Sequence, residues 1–354
     1  MISDDIAVAE KIISSGEEIG RFSWVKVTRG GFLLLALPAS KRLAHATLNL
    51  YQPQKWKGKC LKYTLQIMIS LGLHRLLPKF EIVIGNRGVF AGLDEMTSRG
   101  ELGFLLSNPD SDTRNLIGVY DIGGNLCVVK AGCGGAADVV AKEYDSMRQF
   151  ADEVGVIPKC HGLIKLSGGV AYVAEFVQGE SPCGLEEDSK VLMLLGQWLD
   201  GGVKKRASEL NCWREISSSP EYNNQGELAA LENVELLSPV MHGDLAPWNI
   251  KLTPLGEIKV LDWESAERSG FPGWDWLHYH IQRMILVQEN EPVEVIRECK
   301  RLMITSPFSS YIEKAGLKGL EFEMLVSYLL YSQQVVGCSR GDLITALESY
   351  HQNV

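Results

Sequence analysis

The sequence predicts an α+β protein of two lobes, a β-rich N-lobe and a helical C-lobe, with an additional N-terminal α/β segment. Three observations lead there. Short β-type runs crowd residues 101–177, apolar positions recur at helical spacing after Gly179, and loops rich in reactive polar side chains lie between the two patterns. A chain of 354 residues with 45% apolar and 22% charged content has ample material for such a core. The expected division is an N-terminal extension of unassigned role over 1–95, an N-lobe over 96–179 and a C-lobe over 180–354.

In the first segment, VKVT and FLLLAL flank the turn Arg29–Gly31, and apolar spacing predicts a helix from about Leu61 to Leu71. GFLLS, NLIGVYD and LCVVK follow as strands. Gly123 and Gly124 between the last two supply the positive φ of a tight hairpin. A helix over about 137–151 and two more strands, ending in VAYVAEFV, complete the β-rich half. Beyond Gly179, QENEPVEVIRECKRLM and FEMLVSYLLYSQQVV carry helical spacing, and ISSSPEYNNQGE reads as loop. This order implies two lobes around a cleft.

The densest chemistry lies in VMHGDLAPWN, Val240 to Asn249, and in IKVLDWE shortly after. Asn249–Leu252 and Glu257–Leu261 are β-type, and Thr253-Pro-Leu-Gly256 is a turn signal. Folding that hairpin pairs Leu252 with Glu257 and Asn249 with about Val260, so Asn249 and Asp262 share its open end. A hard cation such as Mg²⁺ takes oxygen ligands of this kind, commonly one or two protein groups plus substrate phosphates. Asp244 just upstream is placed to accept a proton from an incoming hydroxyl.

HGD-x-x-x-x-N followed by a strand ending in DWE resembles the aminoglycoside phosphotransferase and choline kinase family, which has the protein-kinase-like fold. The resemblance implies Asp244 as catalytic base and Asn249 and Asp262 as ligands of Mg²⁺, with His242 bracing the catalytic loop and Asp275 anchoring its backbone. It further implies a Lys on the third kinase strand and a Glu on the next helix. LCVVK supplies Lys130 at the end of an apolar run, and AKEYDSM supplies Glu143. AEFVQG resembles the hinge, whose backbone at Glu175, Phe176 and Val177 would meet the adenine of ATP. The stretch between GFLLS and NLIGVYD, where the phosphates would be covered, has no glycine. Ser107, Ser111 and Thr113 are the candidates there. The expected activity is transfer of the γ-phosphate of ATP to a small-molecule hydroxyl. The segment PASKRLAHATLNLYQPQ, with the HGDLAPWN and WDWLHYHIQ variants, resembles kinase-like proteins of bacterial surface-polysaccharide synthesis and so favours a carbohydrate acceptor. Aminoglycosides, choline or ethanolamine are the alternative acceptors, and a catalytically silent kinase-like binding module is the alternative role.

Taken singly, Lys130 reads as a strand-edge residue, Glu143 as an exposed helical carboxylate and Asp262 as a turn cap; their order carries the reading. Gly132-Cys-Gly134-Gly-Ala-Ala137 fits a dinucleotide fingerprint, with Asp152 and Glu153 about 20 residues on, but no second strand precedes those acids. Gly337-Cys-Ser339-Arg-Gly341 fits a nucleophile elbow, yet follows a helical run and leaves no room for a triad. His278 and His280 would point to different faces of a helix and read as packing residues. The net charge of −9 argues against nucleic acid as the main partner. Eight scattered cysteines without a C-x-x-C pair read as reduced thiols. With no leader or spanning segment in view, the expected location is the cytoplasm, and residues 1–95 are a candidate surface for a protein partner.

Overall fold

The computed structural model describes residues 2–14, 16–30, 32–89, 101–107, 114–218, 228–334 and 343–347. The chain divides into two units: one runs to Asp152 and from Val156 to Gln178, the other holds Glu153–Gly155 and runs on from Gly179.

The first unit is built on one antiparallel sheet. Its strands are β1 (Glu18–Arg29), β2 (Phe32–Leu37), β3 (Lys79–Gly85), β4 (Leu102–Leu106), β5 (Leu116–Ile122), β6 (Asn125–Cys133), β7 (Cys160–Leu166) and β8 (Gly169–Glu175). They lie in the order β3-β1-β2-β4-β5-β6-β8-β7, so the N-terminal strands and those after residue 101 share one sheet. β1 closes on β2 with Arg29 opposite Phe32. The glycine pair between β5 and β6 closes that hairpin, with Ile122 opposite Asn125 and φ of 56° and 95° at Gly123 and Gly124. Side chains that would strain in that left-handed conformation are absent from it.

Alternation along the strands sends apolar residues to both faces. On one face Trp24, Leu33, Ile82, Phe104 and Leu116 bury with Ala9, Ile12 and Ile13 of helix α1 (Ile2–Ile13). Asp5 of that helix is buried, accepts from Arg114 Nη1 (2.6 Å) and from the Leu33 N–H (2.6 Å), and so ties α1 to the sheet. On the other face Val25, Val27, Leu35 and Leu37 bury with helices α2 (Lys41–Leu50) and α3 (Trp56–Leu71) through Ala44, Leu48, Leu65 and Ile69. Each fully buried side chain of this size contributes roughly 1.5–3 kcal/mol. Helix α3 starts five residues earlier than its apolar spacing predicts. The long α4 (Gly135–Val154) links β6 to β7. Strand β6 continues through Ala131 and Gly132 to Cys133, paired with β8, so Lys130 lies inside the strand rather than at its end.

The second unit is mostly helical. It comprises α5 (Leu185–Asp200), the strand pair β9 (Val203–Arg206) and β10 (Glu235–Ser238), α6 (Asn211–Ser217), and the hairpin β11 (Ile250–Leu252) and β12 (Ile258–Val260). Then come α7 (Trp274–Gln282), α8 (Pro292–Ile304), α9 (Phe308–Ala315) and α10 (Glu321–Gln334). All nine residues of α7 are buried, which makes it the internal axis of this unit. Asp188 on α5 fixes it from one side, accepting from Tyr279 Oη (2.6 Å) and from both terminal nitrogens of Arg283 (2.6 and 2.8 Å). The fork geometry of that guanidinium matches the carboxylate. Trp213, Phe271, Trp274 and Tyr331 stack in a continuous row at centroid distances of 4.6–5.6 Å.

Residues 219–227 of the expected loop, the elbow-like Gly337–Gly341, and Ser111 and Thr113 all lie outside the described residues. Asp152 and Glu153 both lie inside α4, and β7 begins after them, so the acid a dinucleotide site needs is not at the end of a second strand. Among the described residues no helix is long and apolar enough to cross a membrane, and the cysteines are free thiols.

Candidate functional site

In the first unit, Lys130 and Glu143 form an ion pair, Nζ to Oε2 at 2.6 Å, although both are nearly fully buried. Glu143 also accepts from Tyr172 Oη at 2.8 Å, and Tyr172 faces Lys130 across the β6–β8 register. The carboxylate is thereby held from two directions and in turn fixes the ammonium. A buried pair of this kind gains little net stability, because desolvation offsets the attraction, so its presence points to a role for the held lysine. At the end of β8, the Glu175 N–H donates to Lys159 O (2.9 Å) and the Phe176 N–H to Leu126 O (3.4 Å). Those two donors are used within the unit. Ser107 Oγ accepts from the Asn115 N–H at 2.9 Å, closing the mouth of the β4–β5 connection.

In the second unit, the catalytic-loop candidates follow β10. The carboxylate of Asp275, at the start of α7, accepts from the N–H groups of His242 (2.7 Å) and Gly243 (3.0 Å). Burial pushes the Asp275 carboxyl above the ordinary carboxylate range, against the pull of His242 and the two backbone donors. Gly243 has φ of 83°, and a Cβ there would sit 2.5 Å from Ser265 O, so only glycine fits the turn. The His242 ring spans the loop. Its Nδ1 accepts from the Asp244 N–H (3.2 Å), its Nε2 lies 2.9 Å from Leu261 O, and its ring packs in a T-shaped contact with Trp263, centroids 4.9 Å apart. Trp263 is itself buried and donates to Val260 O at 2.8 Å.

The hairpin beyond pairs Ile250 with Val260 and Leu252 with Ile258. That is one residue away from the predicted partner of Leu252, because the turn closes as Thr253–Glu257, with the Thr253 N–H donating to Glu257 O (2.9 Å). The shift puts Asn249 beside Leu261, whose N–H donates to Asn249 O at 2.8 Å, and so keeps Asn249 next to Asp262 at the open end. Asn249 Nδ2 donates to Asp244 O (2.9 Å) and to Asp244 Oδ2 (3.2 Å), so neither of these bonds uses its Oδ1. Asp262 adopts the left-handed conformation, φ 68° and ψ 60°, uncommon for a residue with a side chain and concentrated at working sites. An amide oxygen and a carboxylate at one hairpin end fit a small oxygen-seeking cation.

His278, expected to serve packing, does more. Its Nε2 lies 2.8 Å from Asp244 Oδ1 while its Nδ1 lies 3.1 Å from Tyr328 Oη. With the tyrosine hydroxyl donating to Nδ1, the ring proton sits on Nε2, which the Gln282 side-chain amide also approaches at 3.1 Å, and is donated to the carboxylate. Asp244 remains the accessible member, with its side chain 31% exposed against 1% for His278. The sequence held a usable signal for this contact. Asp275 and His278 are one helical turn apart, so a helix that presents the first to the catalytic loop presents the second as well. His280 faces elsewhere, with Nδ1 accepting from Arg283 Nη2 at 3.0 Å.

No family model matches the chain, and no curated protein matches it. Among solved structures, the chain is similar to aminoglycoside phosphotransferase APH(4)-Ia, at 16% identity and a TM-score of 0.48, covering 73% of this chain and 95% of that one. It is similar to choline kinase LicA from Streptococcus pneumoniae, at 12% identity and a TM-score of 0.41, covering 75% and 96%. It is also similar to a fructosamine-3-kinase, described as putative, from Haemophilus somnus 129PT, at 12% identity and a TM-score of 0.44, covering 74% and 95%.

Proposed function

We propose that the chain is an ATP-dependent kinase that transfers the γ-phosphate to a hydroxyl of a small molecule. The observation that carries this reading is the loop from His242 to Asn249. There a single carboxylate, Asp244, is half-exposed while His278 and Asn249 hold its two oxygens from the buried side. A carboxylate held in one orientation with one open edge is what deprotonating and aiming a hydroxyl requires. In the proposed reaction the acceptor oxygen attacks the γ-phosphorus, ADP leaves, and the hydroxyl proton passes to Asp244. Asn249 and Asp262 would hold Mg²⁺, which when bound supplies neutralising charge for the phosphate oxygens. Lys130, kept in place by Glu143 and Tyr172, would orient the α- and β-phosphates.

For the acceptor we favour a carbohydrate hydroxyl, as on a surface-polysaccharide precursor, over an aminoglycoside or an amino alcohol; this choice rests on the N-proximal sequence resemblance. A silent module would have no use for the His278 and Asn249 bonds to Asp244. The test is ADP release with Mg²⁺ and ATP against pooled sugars, amino alcohols and aminoglycosides, wild type beside Asp244→Asn. Acceptor-dependent release lost in the variant supports the reading, and equal turnover by both proteins refutes it.

A further inference from the structure

Helix α3 has two apolar faces, and only one of them is used. Leu65 and Ile69 are buried against the sheet, whereas Trp56, Tyr63, Ile67 and Leu71, on the opposite side of the helix, are 70%, 66%, 45% and 65% exposed. At 100° per residue these four fall within an arc of about 80°, a stripe running the length of a helix of roughly 24 Å. The turn that follows adds Leu73 and Leu76, 44% and 80% exposed. Exposed Lys55, Lys57 and Lys59 flank the stripe at its start and exposed Arg75 at its end.

The sequence segment that holds this stripe is one-sided in charge. Residues 19–80 hold 11 of the chain's 35 Lys and Arg and none of its 44 Asp and Glu, although the whole chain carries −9; two of the eleven, Arg21 and Arg42, pair with Glu18 and Asp121 from outside the segment. A basic surface with a Trp, a Tyr and aliphatic side chains standing out of it is complementary to an anionic lipid bilayer. The cations meet lipid phosphates, the aromatic rings suit the headgroup level, and the aliphatic side chains reach the acyl boundary. Nucleic acid would explain the charge but not the exposed leucines, and a protein partner of ordinary composition would explain the leucines but not the missing acids.

We propose that α3 and the turn after it form a peripheral docking surface for anionic membranes, whatever reaction the chain performs. Full-length protein is floated with vesicles of phosphatidylcholine alone and of phosphatidylcholine mixed with phosphatidylglycerol, over a salt series. Two exposed-site variants are run beside it, Lys57→Glu with Lys59→Glu, and Ile67→Ser with Leu71→Ser. Thermal unfolding verifies that each stays folded. The expected result is binding to the anionic vesicles only, weakened by salt, by roughly thirtyfold in the charge variant and by about tenfold in the apolar one. Absence of binding at low salt overturns the proposal, and so does equal binding to neutral vesicles. Binding to duplex DNA or polyphosphate that matches vesicle binding and survives the apolar change would make this a polyanion surface instead. Self-association abolished by the apolar change, without vesicle binding, would assign the stripe to a second copy of the chain.

Discussion

His278 Nε2 donates to Asp244 Oδ1 across 2.8 Å, from a ring that is 1% exposed and whose other nitrogen is engaged by Tyr328. The contact fixes the plane of the proposed base without occupying its open edge, which makes His278 a positioning residue. Replacing it with Leu is expected to lower kcat by about 10²-fold, the scale of a small misplacement of a reacting group, while the KM for nucleotide changes little. His278→Gln, which keeps a donor near the same place, should recover much of the loss. Steady-state kinetics of the three proteins decide this, and a parallel loss in both variants would assign the histidine to packing alone. Asp244→Asn sets the floor, with kcat down by roughly 10²–10⁴-fold.

The Asp275 carboxylate satisfies two backbone donors that have no other partner in the turn at His242 and Gly243. Asp275→Ala should leave both N–H groups buried and unbonded, at about 2–4 kcal/mol in unfolding free energy. Asp275→Asn keeps one acceptor and should cost less. Denaturant unfolding measures both, and activity should fall in the same order, because the loop that carries Asp244 slackens as its anchors are lost.

Much of this arrangement was legible in the sequence, for identifiable reasons. Gly123–Gly124 and Thr253–Gly256 announce hairpins through local turn chemistry, and the second hairpin alone brings Asn249 to Asp262. The one-residue shift at Leu252 arises because Thr253 pairs with Glu257 and carries the ladder one step further into the turn. The hinge expectation was less readable, since whether the N–H groups of Glu175 and Phe176 are spent depends on Lys159 and Leu126, partners remote in sequence. Tyr172 was likewise invisible, because its approach to Glu143 follows from pairing β6 with β8. The basic stripe around α3 was present in the residue order, but a net charge averages it away against the acidic remainder.

The buried Lys130–Glu143 pair makes a two-part prediction. Lys130→Met alone leaves Glu143 buried beside Tyr172 without its counter-charge and should destabilise the protein by about 3–5 kcal/mol. The double change with Glu143→Gln should restore most of that stability. It should not restore turnover, because the proposed phosphate-orienting charge is gone. A double-mutant cycle read by unfolding and by ADP release separates the two. Recovery of activity in the double variant would remove Lys130 from the mechanism.

His280 predicts how stability depends on pH. It is buried on α7, its Nδ1 accepts from Arg283, and burial, followed by the charge of that guanidinium, lowers its pKa from 6.5 to about 3. Asp188 and Glu298 pull the other way and do not prevail. Between those two values the unfolded chain binds a proton that the folded chain refuses. Folding is therefore opposed as pH falls from about 6.5, by at most about 1.4 kcal/mol per pH unit from this residue, and the effect is absent above that range. Buried His74, also lowered by burial, adds a slope of the same sign. Asp275 acts oppositely, since its carboxyl is raised by burial and stability grows as pH falls through its folded pKa. The decisive quantity is thus the difference between wild type and His280→Gln, a substitution that keeps an acceptor for Arg283. Urea midpoints measured from pH 7.5 to pH 5 should fall more steeply in the wild type, with the two curves parallel at the upper end; equal slopes throughout would mean that His280 takes its proton in the folded protein.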